Sequence, residues 1–301
     1  LTDSDSSLRI GVVGVPGKWS SERLADAVAE RTGFRLLVDL SEIAIDLDRR
    51  RASLKGIELR ELDALIVKKV DRSYGWSNLD RLEMLRFLQG MGVRIFSRPE
   101  RLMRLIDRLS CTVTLRTAGI PMPETVVTER VDMASEAVMA FEGAVLKPLY
   151  STKARGMRLI EPTSLERVME QVKAFQDEGN PVMYVQRRIE LPDRDLGVAF
   201  VGGEYLGTYA RVRGKGSWDT TTHAGGHYAP HQASREVIET AREAQALFNL
   251  DFCAVDVAET GHGIYVFEVS AFGGFRGLAD GAGIDAASRI VDHVVKELRN
   301  G

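Results

Sequence analysis

The chain has 301 residues, 44% of them hydrophobic and 28% charged, and a formal net charge of −3. This composition excludes a disordered chain, a collagen-like chain and a polytopic membrane protein, and the near-balance of charge leaves no global basic field for nucleic acid. At about 150 residues per domain the length predicts two domains, with a core that needs neither disulfides nor structural metal.

Residues 1–7 are polar and acidic, lack the features of a signal peptide and are expected to form a loose tail. An apolar run at 8–15, closed by Gly14, Pro16 and Gly17, predicts a buried strand and a turn. Leu24, Ala27 and Val28 repeat at helical spacing within 20–32, with Ser20 or Ser21 as the expected N-cap and Gly33 as the C′ residue. Strands are expected at 34–40, 64–70 and 93–96 and a helix at 79–90, with Arg49, Arg50 and Arg51 as a solvated basic surface. Strands alternating with helices predict an open parallel sheet, with a boundary at Arg98-Pro99.

After that boundary the pattern changes. Residues 99–118 predict helix, ended by Gly119, Pro121 and Pro123. Strands at 125–128, 144–148, 157–160 and 182–189 are interleaved with helices at 135–141 and 165–176 and a polar loop at 150–156. Two hairpins are expected, 198–201 with 205–213 and 252–259 with 264–269. Between them lie a polar loop at 214–226 and a helix at 235–248; a Gly-rich loop and a helix at 285–298 close the chain. Hairpins in place of crossovers predict an antiparallel α+β half. Cys111 and Cys253, far apart in apolar stretches, predict buried free thiols and a cytoplasmic protein. No run of about 18 apolar residues predicts a membrane span.

Several motifs fail. Gly11 to Lys18 is neither a P-loop, because Trp19 follows Lys18, nor a dinucleotide fingerprint, because Gly11, Gly14 and Gly17 have the wrong spacing. An oxidoreductase built on this sheet is therefore not expected. His223, His227 and His231 would share a helix face, but Gly225, Gly226 and Pro230 argue against a helix there, so no zinc site is predicted.

Asp256 and Glu268 lie on the two strands of the last hairpin, among Ala254, Val255, Val257, Val266, Phe267 and Val269. If those apolar neighbours face the core, both acids face the opposite side. Two carboxylates on one cavity repel unless a cation sits between them, and Mg²⁺ binds one or two carboxylates plus phosphate oxygens. The alternative is two solvent-facing acids on a hairpin.

Ile106-Asp107-Arg108, Thr117-Ala118-Gly119-Ile120-Pro121-Met122-Pro123, Val145-Leu146-Lys147-Pro148, Tyr184-Val185-Gln186, His223-Ala224-Gly225-Gly226, Asp256 and Phe267-Glu268-Val269 occur in the order seen in ATP-grasp ligases. The set resembles the RimK-like branch, which joins amino acids to carboxylates, and Gly283-Ile284-Asp285 is similar to it as well. Pro16-Gly17-Lys18-Trp19-Ser20 resembles the ATP-grasp member of a bacterial gene system that includes a kinase related to the HPr kinase and an amphipathic Trp-containing protein.

The resemblance implies an α/β Rossmann-like pre-ATP-grasp domain at 1–97 followed by an α+β ATP-grasp domain at 98–301. The latter divides into a small lid subdomain at about 121–188 and a large one at about 189–301. It implies ATP, Mg²⁺, carboxylate and amine substrates, an acyl-phosphate intermediate and a homo-oligomer, dimer or tetramer. By the same resemblance Lys147 and Arg108 match the phosphate-binding cations, and Gln186, Arg187, Arg188 and Ile189 match the hinge beside adenine. Asp195 matches the acid near ribose, Arg211 the arginine near the γ-phosphate, and Asp256 and Glu268 two Mg²⁺ ligands.

The sequence also departs from the family. Ser270 stands where the third metal ligand is Asn, Arg108 replaces a lysine, Arg187 replaces an acid, and the phosphate loop with Lys153 and Arg155 has one glycine, Gly156. These departures leave a second reading, a catalytically weak ATP-binding regulatory protein. Arg213, Lys215, Trp218 and Thr220 to Thr222 are candidates for the substrate loop.

Overall fold

The computed structural model describes residues 8–152, 154–221 and 224–300. Its first part contains β1 (Ile10–Val13), α1 (Trp19–Thr32), β2 (Leu37–Val38), β3 (Ala44–Asp46), β4 (Arg51–Leu54), β5 (Ile57–Glu58), β6 (Ala64–Val67), α2 (Ser77–Gly90) and β7 (Arg94–Phe96). Strands β2, β1, β6 and β7 form, in that order, the expected parallel sheet. Helix α1 packs through Leu24, Ala25 and Val28 and stops at Gly33, whose left-handed backbone lets its N–H reach Ala29 O. Its start differs from expectation. Lys18 is the N-cap and caps with no side chain. Ser21 instead turns its hydroxyl back to accept from Val15 N at 3.1 Å, and Glu22 accepts from Gly17 N at 2.8 Å.

A small antiparallel sheet of β3, β4 and β5 stands where the sequence predicted only a basic surface. Its strands are two to four residues long. Glu58 holds it by accepting from Arg51 Nε and from Ala52 N, each at 3.0 Å, so ionic contacts replace a legible apolar period.

The remaining elements are α3 (Pro99–Met103), α4 (Arg108–Thr117), β8 (Thr125–Thr128), α5 (Val131–Ala140), β9 (Ala144–Lys147), β10 (Arg158–Ile160), α6 (Leu165–Asp177), β11 (Met183–Arg187), β12 (Arg194–Val201), β13 (Glu204–Val212), β14 (His227–Pro230), α7 (Arg235–Ala246), β15 (Phe252–Thr260), β16 (Gly263–Ser270), α8 (Phe275–Ala282) and α9 (Ala286–Asn300). They supply two antiparallel sheets, ordered β10-β9-β11-β8 and β14-β13-β12-β15-β16.

Strand β12 starts four residues before 198, β14 occupies a stretch after the expected 214–226 loop for which no element was expected, and α8 replaces most of the Gly-rich loop. Glycine in α8 serves close packing rather than flexibility. A Cβ on Gly277 would lie 2.2 Å from Tyr209 Cε2.

One apolar core runs from the parallel sheet, through Val13, Leu65 and Leu82, into the five-stranded sheet at Leu196, Val255 and Val269. A separate core of Val138, Leu146, Val168, Phe175 and Val185 belongs to the β8–β11 sheet with α5 and α6. Cys111 and Cys253 are buried and free. No helix among the described residues is long and apolar enough to cross a membrane.

Candidate functional site

Asp256 and Glu268 pair directly across β15 and β16. Val255, Val257, Val266 and Val269 are buried in the core, as expected. Phe267 is not. The register shifts after Asp256, with Val257 facing Val266, so Phe267 is the extra residue of a bulge. Its ring lies 5.1 Å from Lys147 Nζ, on the acids' side of the sheet. The simple alternation expected along β16 is thus broken at that residue, while the two acids still share a face.

Three cations meet this face from three directions. Arg108 opens α4 behind Asp107, whose carboxylate caps the helix by accepting from Ser110 N at 2.9 Å. Arg108 Nη1 donates to Glu268 Oε2 at 2.7 Å and its backbone N–H to Leu149 O at 3.0 Å. Arg211 on β13 faces Asp195 on β12. It grips both Asp195 oxygens, and its Nη1 reaches Asp256 Oδ1 at 3.1 Å. Lys147 ends β9, and its Nζ donates to Gln186 Oε1 at 2.6 Å. Gln186 donates in turn to Tyr184 OH at 3.0 Å and Thr125 Oγ1 at 3.1 Å, a buried chain that fixes its amide.

Burial pushes the Lys147 ammonium down to about 7, and the charge of Arg108 adds to the shift. Burial also raises Asp256 to about 7; Arg211 opposes this, while Glu268 and Asp195 reinforce it. For Arg211, burial works against its charge but the fields of Asp195 and Asp256 prevail, lifting it well above the usual arginine range. Asp256 and Glu268 are hard oxygen donors set side by side, able to hold a divalent cation together with oxygens from a ligand. Among the described residues no group of three His, Cys, Asp or Glu side chains gathers around such a point.

The other predicted residues lie around this row. Arg187 pairs with Glu124 at 2.9 Å, and Arg188 donates to Glu161 at 2.7 Å, so both guanidinium groups are engaged by acids outside the row. Ile189 is half-buried just beyond β11. Ser270 shares the face of Glu268, opposite Ala254, and a Cβ on Gly273 would lie 3.0 Å from its hydroxyl. His227 begins β14, an exposed strand position. His223, Thr222 and Lys153 lie outside the described residues. Arg213 donates to Leu191 O at 2.9 Å and Pro192 O at 3.2 Å, bracing the 190s turn.

The sequence reading missed Lys68 and Tyr74. Lys68 follows β6, is 2% exposed, and donates to Phe272 O at 2.5 Å with its Nζ 4.1 Å from the Phe275 ring centre. Burial drives its pKa well down, aided by the charge of Lys69. Tyr74 meets Phe272 edge-on at 6.3 Å, and burial together with the charge of Glu268 raises its pKa. The signal for Lys68 was present, a lysine ending an apolar strand as Lys147 does.

Residues 106–294 match the RimK-like ATP-grasp domain family. A tetrahydromethanopterin:alpha-L-glutamate ligase of Methanosarcina acetivorans is 26% identical over 322 residues, covering 95% of this chain and 98% of the relative. A RimK domain ATP-grasp protein of Sphaerobacter thermophilus superposes with a TM-score of 0.73 at 22% identity, over 95% of this chain and 98% of its own. The ATP-grasp ligase PsnB, solved with a precursor variant, Mg and ADP, gives 0.76 at 16% identity over 97% and 99%. With the family matched over most of its length and the ATP-grasp fold reproduced, the chain belongs to the RimK-like ATP-grasp family.

Proposed function

We propose that the protein is an ATP- and Mg²⁺-dependent ligase that joins a carboxylate to an amine of amino-acid or peptide-like character through an acyl phosphate. The observation that carries this reading is the meeting of Arg108, Lys147 and Arg211 with the Asp256–Glu268 pair on one face, in a chain of this family. The alpha-L-glutamate ligases among its relatives support an amino acid as the amine.

In this reading Asp256 and Glu268 hold Mg²⁺, with Ser270 as a hydroxyl neighbour. The bound metal neutralises phosphate charge. Arg108 and Arg211 pair with these acids here and would exchange them for phosphate oxygens. Lys147 completes the cationic set, the backbone of Gln186, Arg187, Arg188 and Ile189 borders adenine, and Asp195 lies towards the ribose while bracing Arg211. The substrate carboxylate oxygen bonds to the γ-phosphorus as the bond to the bridging oxygen of ADP breaks. The amine then bonds to the acyl carbon, phosphate leaves with the C–O electron pair, and the amine gives up a proton. We assign 1–97 to the pre-ATP-grasp domain and 98–301 to the ATP-grasp domain, and the Pro16–Ser20 string supports the narrower kinship with the gene-system members.

Incubation with ATP, Mg²⁺ and panels of amino acids and carboxylates, with products read by mass spectrometry, tests the reaction. A conjugate with the mass of a lost water, together with stoichiometric ADP, is expected. Tight nucleotide binding with no ADP from any pair would favour the regulatory reading, which the Ser270 substitution and the arginine on each acid support. Millimolar ATP is expected to raise the melting temperature, more so with Mg²⁺, because a ligand stabilises the state it binds; no shift would count against both readings.

Lys147 gives a pH-dependent check. With its pKa depressed to about 7, it is mostly neutral at about pH 8, and a phosphate beside it restores the charge. Binding of ADP without Mg²⁺ at that pH should therefore take up a proton, read by calorimetry in buffers of different ionisation enthalpy. Lys147→Ala should abolish the uptake and weaken binding, while His227→Ala should change neither. Equal uptake in the Lys147 variant would remove it from the phosphate site.

A further inference from the structure

The site face carries a polar group not used above, the hydroxyl of Tyr209. Tyr209 lies two residues before Arg211 on β13, so the two side chains share a face. Tyr209 pairs with Gly197, Gly197 with Asp256, and Asp256 with Glu268, which makes one transverse row across four strands.

The ring lies over Gly197. A Cβ there would sit 2.2 Å from Tyr209 Cζ and 2.4 Å from its hydroxyl. On α8, a Cβ at Gly277 would sit 2.2 Å from Cε2, and one at Gly281 2.9 Å from the tyrosine Cβ. Tyr228 meets the ring edge-on at 5.6 Å. Sheet and helix glycines thus form a slot that admits one flat ring and holds it still. The ring reaches from β13 across β12, so its hydroxyl is directed along the row towards Asp256.

Tyr209 as a whole is 3% exposed. The charges acting on it are those of Arg211, Asp256, Tyr228 and Asp195, of which Arg211 and Asp256 belong to the proposed phosphoryl site. Burial raises its pKa, so it remains a neutral donor. Such a donor can bond a phosphate oxygen without adding a cation to compete with metal at Asp256.

We infer that Tyr209 is a further catalytic residue, its hydroxyl donating to an oxygen of the transferring phosphoryl group between Arg211 and the Asp256–Glu268 pair. This rests on the ligase reading above. The competing view is that the ring merely fills the slot, which a phenylalanine would do equally well.

Tyr209→Phe separates the two views because it keeps the ring. Calorimetry should show ADP affinity within about twofold of wild type and Mg²⁺–AMP-PNP affinity lowered about tenfold, with kcat for ADP formation lowered about tenfold or more. Unchanged AMP-PNP affinity and kcat would overturn the inference, as would an equal loss for ADP and AMP-PNP. If the wild type forms no ADP, the ligase reading falls on its own. The difference between AMP-PNP and ADP then decides the hydroxyl: a selective loss for AMP-PNP supports a phosphoryl contact, and no selectivity removes it.

Discussion

Replacing Glu268 by glutamine is expected to leave a folded protein whose ATP turnover falls about a hundredfold or more, the scale of losing a few kcal/mol of transition-state stabilisation. The substitution keeps size and shape and removes a charge from a pair whose other member, Asp256, pairs with it directly. The 36% exposure of the Glu268 side chain allows the amide to be solvated, whereas Arg108 at 6% loses its charged partner. A stability loss of about 1–2 kcal/mol is therefore expected in the free protein, and bound nucleotide should offset it by giving Arg108 a phosphate. Circular dichroism reports folding, and ADP release with the true substrate reports chemistry. Turnover near the wild-type level would end the metal assignment.

Arg211→Met should cost about 3 kcal/mol of stability near pH 7, more than most single changes, because it strands two acids at once. The side chains of Asp195 and Asp256 are 8% and 19% exposed, and Arg211 bonds both. Without it the folded pKa of Asp256, already raised by burial, moves further above the unfolded carboxylate range. An acid whose pKa is raised by folding binds more protons in the native state, so stability falls as pH rises through that window. The gap between variant and wild type should thus be smallest near pH 5, where Asp256 is protonated in both, and widen as pH rises from about 7, its folded value with Arg211 in place, towards pH 8. Urea unfolding at the two ends of that range measures the gap, and Asp195→Asn in the same variant should recover part of the loss. A gap that ignores pH would mean the acids find other partners.

The pairing of Asp256 with Glu268 was legible because a tight turn between two apolar strands leaves little freedom of register. The bulge at Phe267 was not read, although Val266 and Val269 carried the clue. Both are buried, and a flat strand of period two cannot turn residues three apart to one face. Tertiary packing hid the rest. Gly197 reads as a strand breaker and Gly277 and Gly281 as loop, yet each is small because Tyr209 passes close by. Asp195, just ahead of the expected hairpin, fell outside it for that reason. The small sheet of β3, β4 and β5 escaped because Arg51 and Glu58, not an apolar stripe, hold it.

The apolar interior of this molecule is interrupted at the proposed nucleotide site. Lys147 and Gln186 ride on the sheet whose core is closed around Val138, Phe175 and Val185, while Asp256, Glu268 and Arg211 ride on the sheet that merges with the rest. Regions with separate cores can open with separate free energies, below that of global unfolding. The fracture line of the native state therefore runs through the place where a polyphosphate would be gripped from both sides. A nucleotide bound there would act as a suture, making two breathing bodies into a single cooperative one for as long as it stays.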